Sequence, residues 1–159
     1  LFAMWKRADN YEGLDWFLKY VYSDLDENIK IKIIGSGLNE KLKERISCYN
    51  EIEYLGFVDN PYPIIANAKA LISPLFTGAG VKVKVIESLA CGTPVIGTDI
   101  SFEGIDEGFS NFMLLANSPE DYIRKIKTLD IPLCDRFKFK SDFIANYSNK
   151  SIIQYINSI

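Results

Sequence analysis

Short apolar runs alternate with stretches of helical periodicity along nearly the whole chain, and this alternation restricts the fold more than any other feature. Residues 1–4, 29–34, 52–55, 70–74, 94–98 and 111–115 are apolar runs of strand length. Between the first two, Leu14, Phe17, Leu18 and Val21 recur at i, i+3, i+4, i+7, with Asp9 or Asn10 as the expected cap. A charged helix is expected over residues 40–48, with Leu42 and Ile46 facing inward. Asn60 precedes Pro61, a pair that suits a cap and a first helical position, and Ser118-Pro119 repeats the device. The tail, residues 136–159, reads as two helical stretches, with Ser148 capping the last. This order predicts an α/β fold: a Rossmann-like, doubly wound parallel sheet of about six strands with helices on both faces. In such sheets ligands bind at the carboxyl ends of the strands, which singles out the loops after Met4, Ile34, Leu55, Leu75 and Thr98.

Length and composition narrow the classes. A chain of 159 residues without repeat, low-complexity stretch or linker reads as one domain. A net charge of −3 offers no field for nucleic acid. No histidine is present, which removes Ser–His–Asp, Cys–His and His-ligated metal chemistry from this chain, and no metal site is expected. Cys48, Cys91 and Cys134 are odd in number and widely spaced, so they are expected to be buried free thiols of a reducing compartment. No run is long enough to span a bilayer. The apolar opening, Leu1-Phe2-Ala3-Met4, suggests a piece of a longer protein.

The stretch GAGVKVKVIESLACGTPVIG, residues 78–97, carries the chemistry. VKVKV alternates as a strand does, but Val85, Ile86, Leu89 and Ala90 continue it as a helical stripe. Gly92 and Pro94 then supply a helix stop. The helical reading prevails, with a first turn over residues 80–83. Free N–H groups at that end, beside Gly78 and Gly80, suit a phosphate or diphosphate. Lys82 and Lys84 are poorly placed at a helix N-terminus unless an anion offsets them. Glu87 admits two readings: an i+3 pair with Lys84, or an acceptor for a ligand diol such as a ribose.

PLFTGAGVKVKVIESLACGTPVIGT, followed by FEGI at residues 102–105, resembles the C-terminal, donor-binding domain of GT-B-fold glycosyltransferases of the family 4 type. FAMWKRADNYEGLDWFLKYV resembles the first strand, Asn-containing loop and Trp-Phe helix of one branch. IKIIGSG and IEYLGFVDNPYPIIANAKALISPL are similar to the units that follow. The resemblance covers about residues 1–129. It implies a single nucleotide-sugar-binding domain over residues 1–159, the C-terminal half of a two-domain protein. It further implies that Glu87 binds donor ribose hydroxyls, and that amides around Gly80, Val81 and Lys82 cradle the diphosphate. Lys84 would be its cationic partner, with Val58 meeting the base and Gly35-Ser36-Gly37 lining the cleft. The first glutamate of the family's E-x7-E pattern falls at Ala79, and the usual cations of the first loop have no match beyond Lys6 and Arg7.

The function so implied is that of a retaining glycosyltransferase domain, which passes a sugar from a nucleotide-diphosphate donor to a glycan or lipid-linked acceptor. The donor is substrate, and no cofactor is required. An N-terminal acceptor-binding domain would be the protein partner and would hold the main catalytic groups, leaving the isolated domain inactive. The expected location is cytoplasmic, any membrane contact falling to that missing half. The rivals are a non-catalytic sugar-nucleotide-binding or interaction domain and a GT-B-type nucleotide-sugar epimerase. An NAD-dependent enzyme is disfavoured, because IIGSGLNE puts Glu40 where a dinucleotide fingerprint needs its third glycine. Trp5 sits in a ligand-edge loop, and Phe137, Phe139 and Phe143 either cover the sheet or face another domain.

Overall fold

The computed structural model describes residues 1–157, with side chains through residue 147. Strand β1 (Ile31–Ile34) pairs in parallel with β2 (Ile52–Gly56). Strands β3 (Leu71–Ser73), β4 (Val95–Gly97) and β5 (Met113–Leu115) form a second parallel set in that order. Helices α1 (Ala8–Tyr20), α2 (Glu40–Ser47), α3 (Tyr62–Asn67), α4 (Val83–Ala90), α5 (Asp99–Phe102), α6 (Pro119–Thr128) and α7 (Leu133–Asn157) connect and flank the strands. The fold is thus α/β, Rossmann-like, with all strand pairs parallel. The first apolar run lies beside β1 but contributes one parallel bridge, Phe2 to Ile34, instead of a full ladder. A cavity of about 680 Å³ lies between the two strand sets, lined by Leu1, Ile31, Ala70, Leu71 and Ile96 among others. Hydrogen bonding across the sheet is interrupted there.

Helical periodicity translates directly into burial. Leu14, Phe17, Leu18 and Val21 all lie in the core with Ile31 and Ile33, each such side chain stabilising the fold by about 1.5–3 kcal/mol. Val85 and Leu89 of α4 pack with Leu71, Val95, Phe109, Phe112 and Phe143 in a second cluster. Phe139 stacks on Phe112, with centroids 3.7 Å apart, whereas Phe137 is exposed. The tail therefore covers the body of the domain through two of its three phenylalanines.

Local capping matches the sequence where the cap has no competing partner. Ser118 accepts from Asp121 (3.2 Å) as expected, and Asn39 accepts from the Leu42 amide (2.9 Å). The Asn60 expectation is off by one residue: α3 starts at Tyr62 with Pro61 as its cap residue, and Asn60 accepts from Tyr62 (3.2 Å) from outside the helix. Three further expectations need correction. First, α1 starts at Ala8 with Arg7 as its cap residue, because the side chains of Asp9 and Asn10 are engaged elsewhere. Second, the tail is one helix, α7, with Ser148 inside it. No glycine or proline interrupts its sequence, while residues 158 and 159 lie outside the described part. Third, the three cysteines are free, but Cys48 and Cys134 are exposed; only Cys91 is partly covered, and burial raises its pKa. Among the described residues no helix is long and apolar enough to cross a membrane.

Candidate functional site

The loop between β3 and α4 turns through Gly78 and Gly80, whose φ angles are +108° and +77°. Only glycine enters that region at little cost, so the chain cannot yet be helical there. The expected start at Gly80 is accordingly corrected: α4 begins at Val83, with Lys82 as its cap residue. Val81 and Val83 are exposed and Val85 is buried, so the alternation straddles loop and helix. The Lys82 carbonyl accepts from Val85 (2.8 Å) and Ile86 (3.3 Å), but no side chain caps the first N–H groups. Around Gly80 the space a Cβ would take has no atom within 4 Å. At Gly78 the nearest atoms to such a Cβ would be Asp9 Oδ2 at 3.5 Å and Lys82 Cε at 3.9 Å. The glycine loop therefore abuts the start of α1.

The two lysines diverge. Lys82 folds back over the loop, donating to the Gly80 carbonyl and pairing with Glu103 Oε2 at 3.3 Å. Lys84 reaches across to α1, where its ammonium donates to Asn10 Oδ1 at 2.7 Å. Burial lowers the Lys84 pKa to about 8; Asp9 opposes the shift, and the charges of Arg7 and Lys82 add to it. Asp9 itself is held in a fork by Arg7, with bonds of 3.1 and 3.0 Å. That hydrogen bonding keeps its carboxyl below the usual range.

Of the two readings open for Glu87, the ion pair with Lys84 is absent. Glu87 Oε1 instead accepts from the Tyr62 hydroxyl of α3 at 3.0 Å. The bond and the carboxylate charge raise the Tyr62 pKa. Gly35 and Ser36 back the first loop from its other side: Trp5 donates its amide to the Ser36 carbonyl (2.9 Å), and Gly35 donates to Gly56 (2.7 Å). A Cβ at Gly35, where φ is +119°, would sit 1.8 Å from the Ala3 carbonyl oxygen. Trp5 is buried and its indole N–H donates to the Ile34 carbonyl at 3.1 Å, which makes it a structural anchor. Val58 is half-buried just past β2 on the same edge of the sheet. Val81 lies against Gly104, whose missing Cβ would meet its Cγ2 at 2.8 Å.

The fold thus gathers Gly78, Lys82 and Lys84 beside the first loop, sets Glu87 next to Tyr62, and leaves Gly80 and Val81 facing solvent. Sequence reasoning missed Asn10 and Tyr62. Asn10 did carry a signal: it stands four residues before Leu14, so a polar side chain occupies the buried stripe of α1. Tyr62, exposed on a short helix, carried none. A desolvated ammonium, an uncapped helix start and side-chain-free backbone together suit an anion of phosphate type. Among the described residues no group of acids and cysteines is arranged to hold a metal ion.

The chain is 27% identical to an uncharacterised 44.6 kDa protein of the cps region of Klebsiella pneumoniae, over 93% of this chain and 42% of that protein. It superposes on TarM from S. aureus, a structure with fondaparinux, α-GlcNAc-glycerol and UDP, with a TM-score of 0.72 at 20% identity; the match covers 98% of this chain and 34% of that one. It also superposes on Anabaena HepE in complex with UDP, with a TM-score of 0.64 at 14% identity, covering 99% of this chain and 48% of that one. The chain therefore spans less than half the length of each. The family described as glycosyl transferases group 1 matches residues 2–130, with the glycine loop, the lysines and Glu87 all inside the match, and the chain belongs to that family.

Proposed function

We propose that the chain is the donor-binding lobe of a retaining GT-B glycosyltransferase, C-terminal in a two-domain cytoplasmic protein, and that its donor is a UDP-sugar. The observation that carries this reading is the meeting of Lys84, the uncapped start of α4 and the glycine loop at one point of the sheet edge. UDP in the HepE and TarM structures supports the choice of nucleotide. In this reading the diphosphate lies across the first turn of α4, with Lys84 as its cationic partner. Glu87 accepts from the ribose hydroxyls through its second oxygen, which has no partner among the described residues, beside the one held by Tyr62. Val58 borders the base, and Gly35 and Ser36 shape the cleft. Chemically, the lobe stabilises the charge that develops on the departing nucleotide diphosphate, through the helix start and Lys84. The acceptor, a glycan or lipid-linked sugar, and the remaining catalytic groups belong to the N-terminal domain.

Titration with UDP tests the site. Replacing Glu87 with Ala removes the ribose contact and weakens binding by about 1–3 kcal/mol, roughly 5- to 150-fold. Unchanged affinity in Glu87→Ala sinks the ribose assignment. A second reading, a lobe that binds donor without transferring it, is favoured by Ala79, which puts a methyl group where the family has an acid. Sugar release from UDP-sugars by the full-length protein separates the two.

A further inference from the structure

Lys84 presents an unusual choice of partner. Its ammonium is largely withdrawn from water, and a carboxylate, Asp9, is close enough to influence it. Yet no ion pair joins them: Arg7 takes both oxygens of Asp9, and the hydrogen-bond partner of Lys84 is a neutral amide oxygen. Asn10 is itself buried, about nine-tenths out of solvent. Its orientation is fixed chemically. The Nδ2 group donates to the Met4 carbonyl at 3.1 Å, and a carbonyl can only accept, so Oδ1 must face Lys84. One amide therefore bridges the first loop and α4, residues that lie 74 apart in the chain.

We infer that Asn10 is a positioning residue for the anion site, holding the Lys84 ammonium at the loop junction without cancelling its charge. The inference rests on the diphosphate reading above. An ammonium has three donors; Asn10 takes one, and the others are presented to a bound anion. An aspartate at this position would hold the lysine equally well but neutralise it, and would face the Met4 carbonyl with a second acceptor. The charged groups around Lys84 are Asp9 and Arg7 from the first loop and α1, and Lys82 from the cap. The hydrogen bond that Lys84 donates goes to Asn10 Oδ1 and to none of these.

The test is UDP affinity as a function of pH, measured by calorimetry on the full chain carrying Asn10→Asp, Asn10→Ala or Lys84→Met. A terminal phosphate is fully ionised above about pH 7, so an alkaline fall in affinity reports the lysine. In the wild type that fall begins near pH 8. Asn10→Asp is expected to weaken binding by about tenfold or more at pH 7 and to move the alkaline limb up by about one unit, as an added carboxylate does. Asn10→Ala weakens binding about fivefold and lowers the limb slightly. A purely structural tie to Met4 would change the melting temperature and leave the limb in place. If Lys84→Met loses UDP while Asn10→Asp keeps both affinity and limb, the positioning role is wrong and the phosphate site stands. If the wild type fails to bind UDP, or Lys84→Met binds as well as it does, both readings fall together.

Discussion

The two ends of α4 are built to opposite standards. At its C-terminus the chain is tied down by tertiary hydrogen bonds, although the buried Ser88 hydroxyl has no partner among the described residues. Gly92 takes a φ of +74°, and a Cβ there would meet the Arg136 carbonyl oxygen at 2.7 Å. Arg136 donates to the carbonyls of Gly92 and Ala66, each at 2.8 Å, and to the Thr93 hydroxyl at 2.9 Å. Thr93 in turn donates to the Ile65 carbonyl at 2.8 Å. At its N-terminus no side chain caps the helix, Gly80 borders empty space, and Lys84 carries a charge that burial penalises. One end is finished by tertiary contacts; the other is left incomplete in a way that a ligand can complete. In the proposed reading, stability and function are thus separated along a helix of eight residues.

Three changes probe that separation. Arg136→Ala has the largest expected effect: it removes three hydrogen bonds and strands partly buried acceptors, costing about 2–4 kcal/mol in chemical unfolding. UDP affinity of the folded fraction should stay as it was. A parallel loss of affinity would show that the two ends are coupled.

Lys84→Met acts in the opposite sense, and its sign follows from the pKa. The lysine titrates near 8 in the folded protein and at its ordinary 10.5 when unfolded. Between those values the unfolded chain binds more protons, so stability rises with pH; below about pH 8 the full penalty, about 3 kcal/mol, is present. Lys84→Met relieves that penalty but orphans Asn10 Oδ1. We expect a net gain of about 1–2 kcal/mol at pH 7 that vanishes towards pH 10.5, together with loss of UDP binding. A variant that is destabilised at pH 7 would mean that Lys84 contributes to the fold as well as to the site.

Tyr62→Phe is the mildest probe. It removes one exposed hydrogen bond to Glu87, leaving the unfolding free energy within about 0.5 kcal/mol. If Tyr62 orients Glu87, UDP affinity falls about two- to fivefold while UMP and UDP are affected alike. An effect on UDP alone would place the contact at the diphosphate instead of the ribose.

Much of this was legible before any coordinates. The cap residue Ser118 acts within three residues of itself, and the stop at Gly92 is equally local. Side-chain periodicity identified the buried face of α1 down to Val21. The same local logic fails at Asn10: its residue type favours a helix cap, whereas its position on the apolar stripe gives it a buried partner. The start of α4 was misplaced because propensity alone does not show that Gly78 and Gly80 take positive φ.

The sequence by itself determined the parallel α/β class, most of the order of strands and helices, and the family pattern around Gly78, Lys84 and Glu87, since periodicity and turn chemistry are properties of neighbouring residues. Only the tertiary structure decided which partner each polar side chain takes: Asn10 as acceptor for Lys84, Tyr62 as donor to Glu87, Glu103 as acceptor for Lys82. Those partners come from 21 to 74 residues away, and their choice depends on which helices the sheet brings side by side. A desolvated charge takes whatever acceptor the packing supplies, so its partner becomes visible only when the packing does.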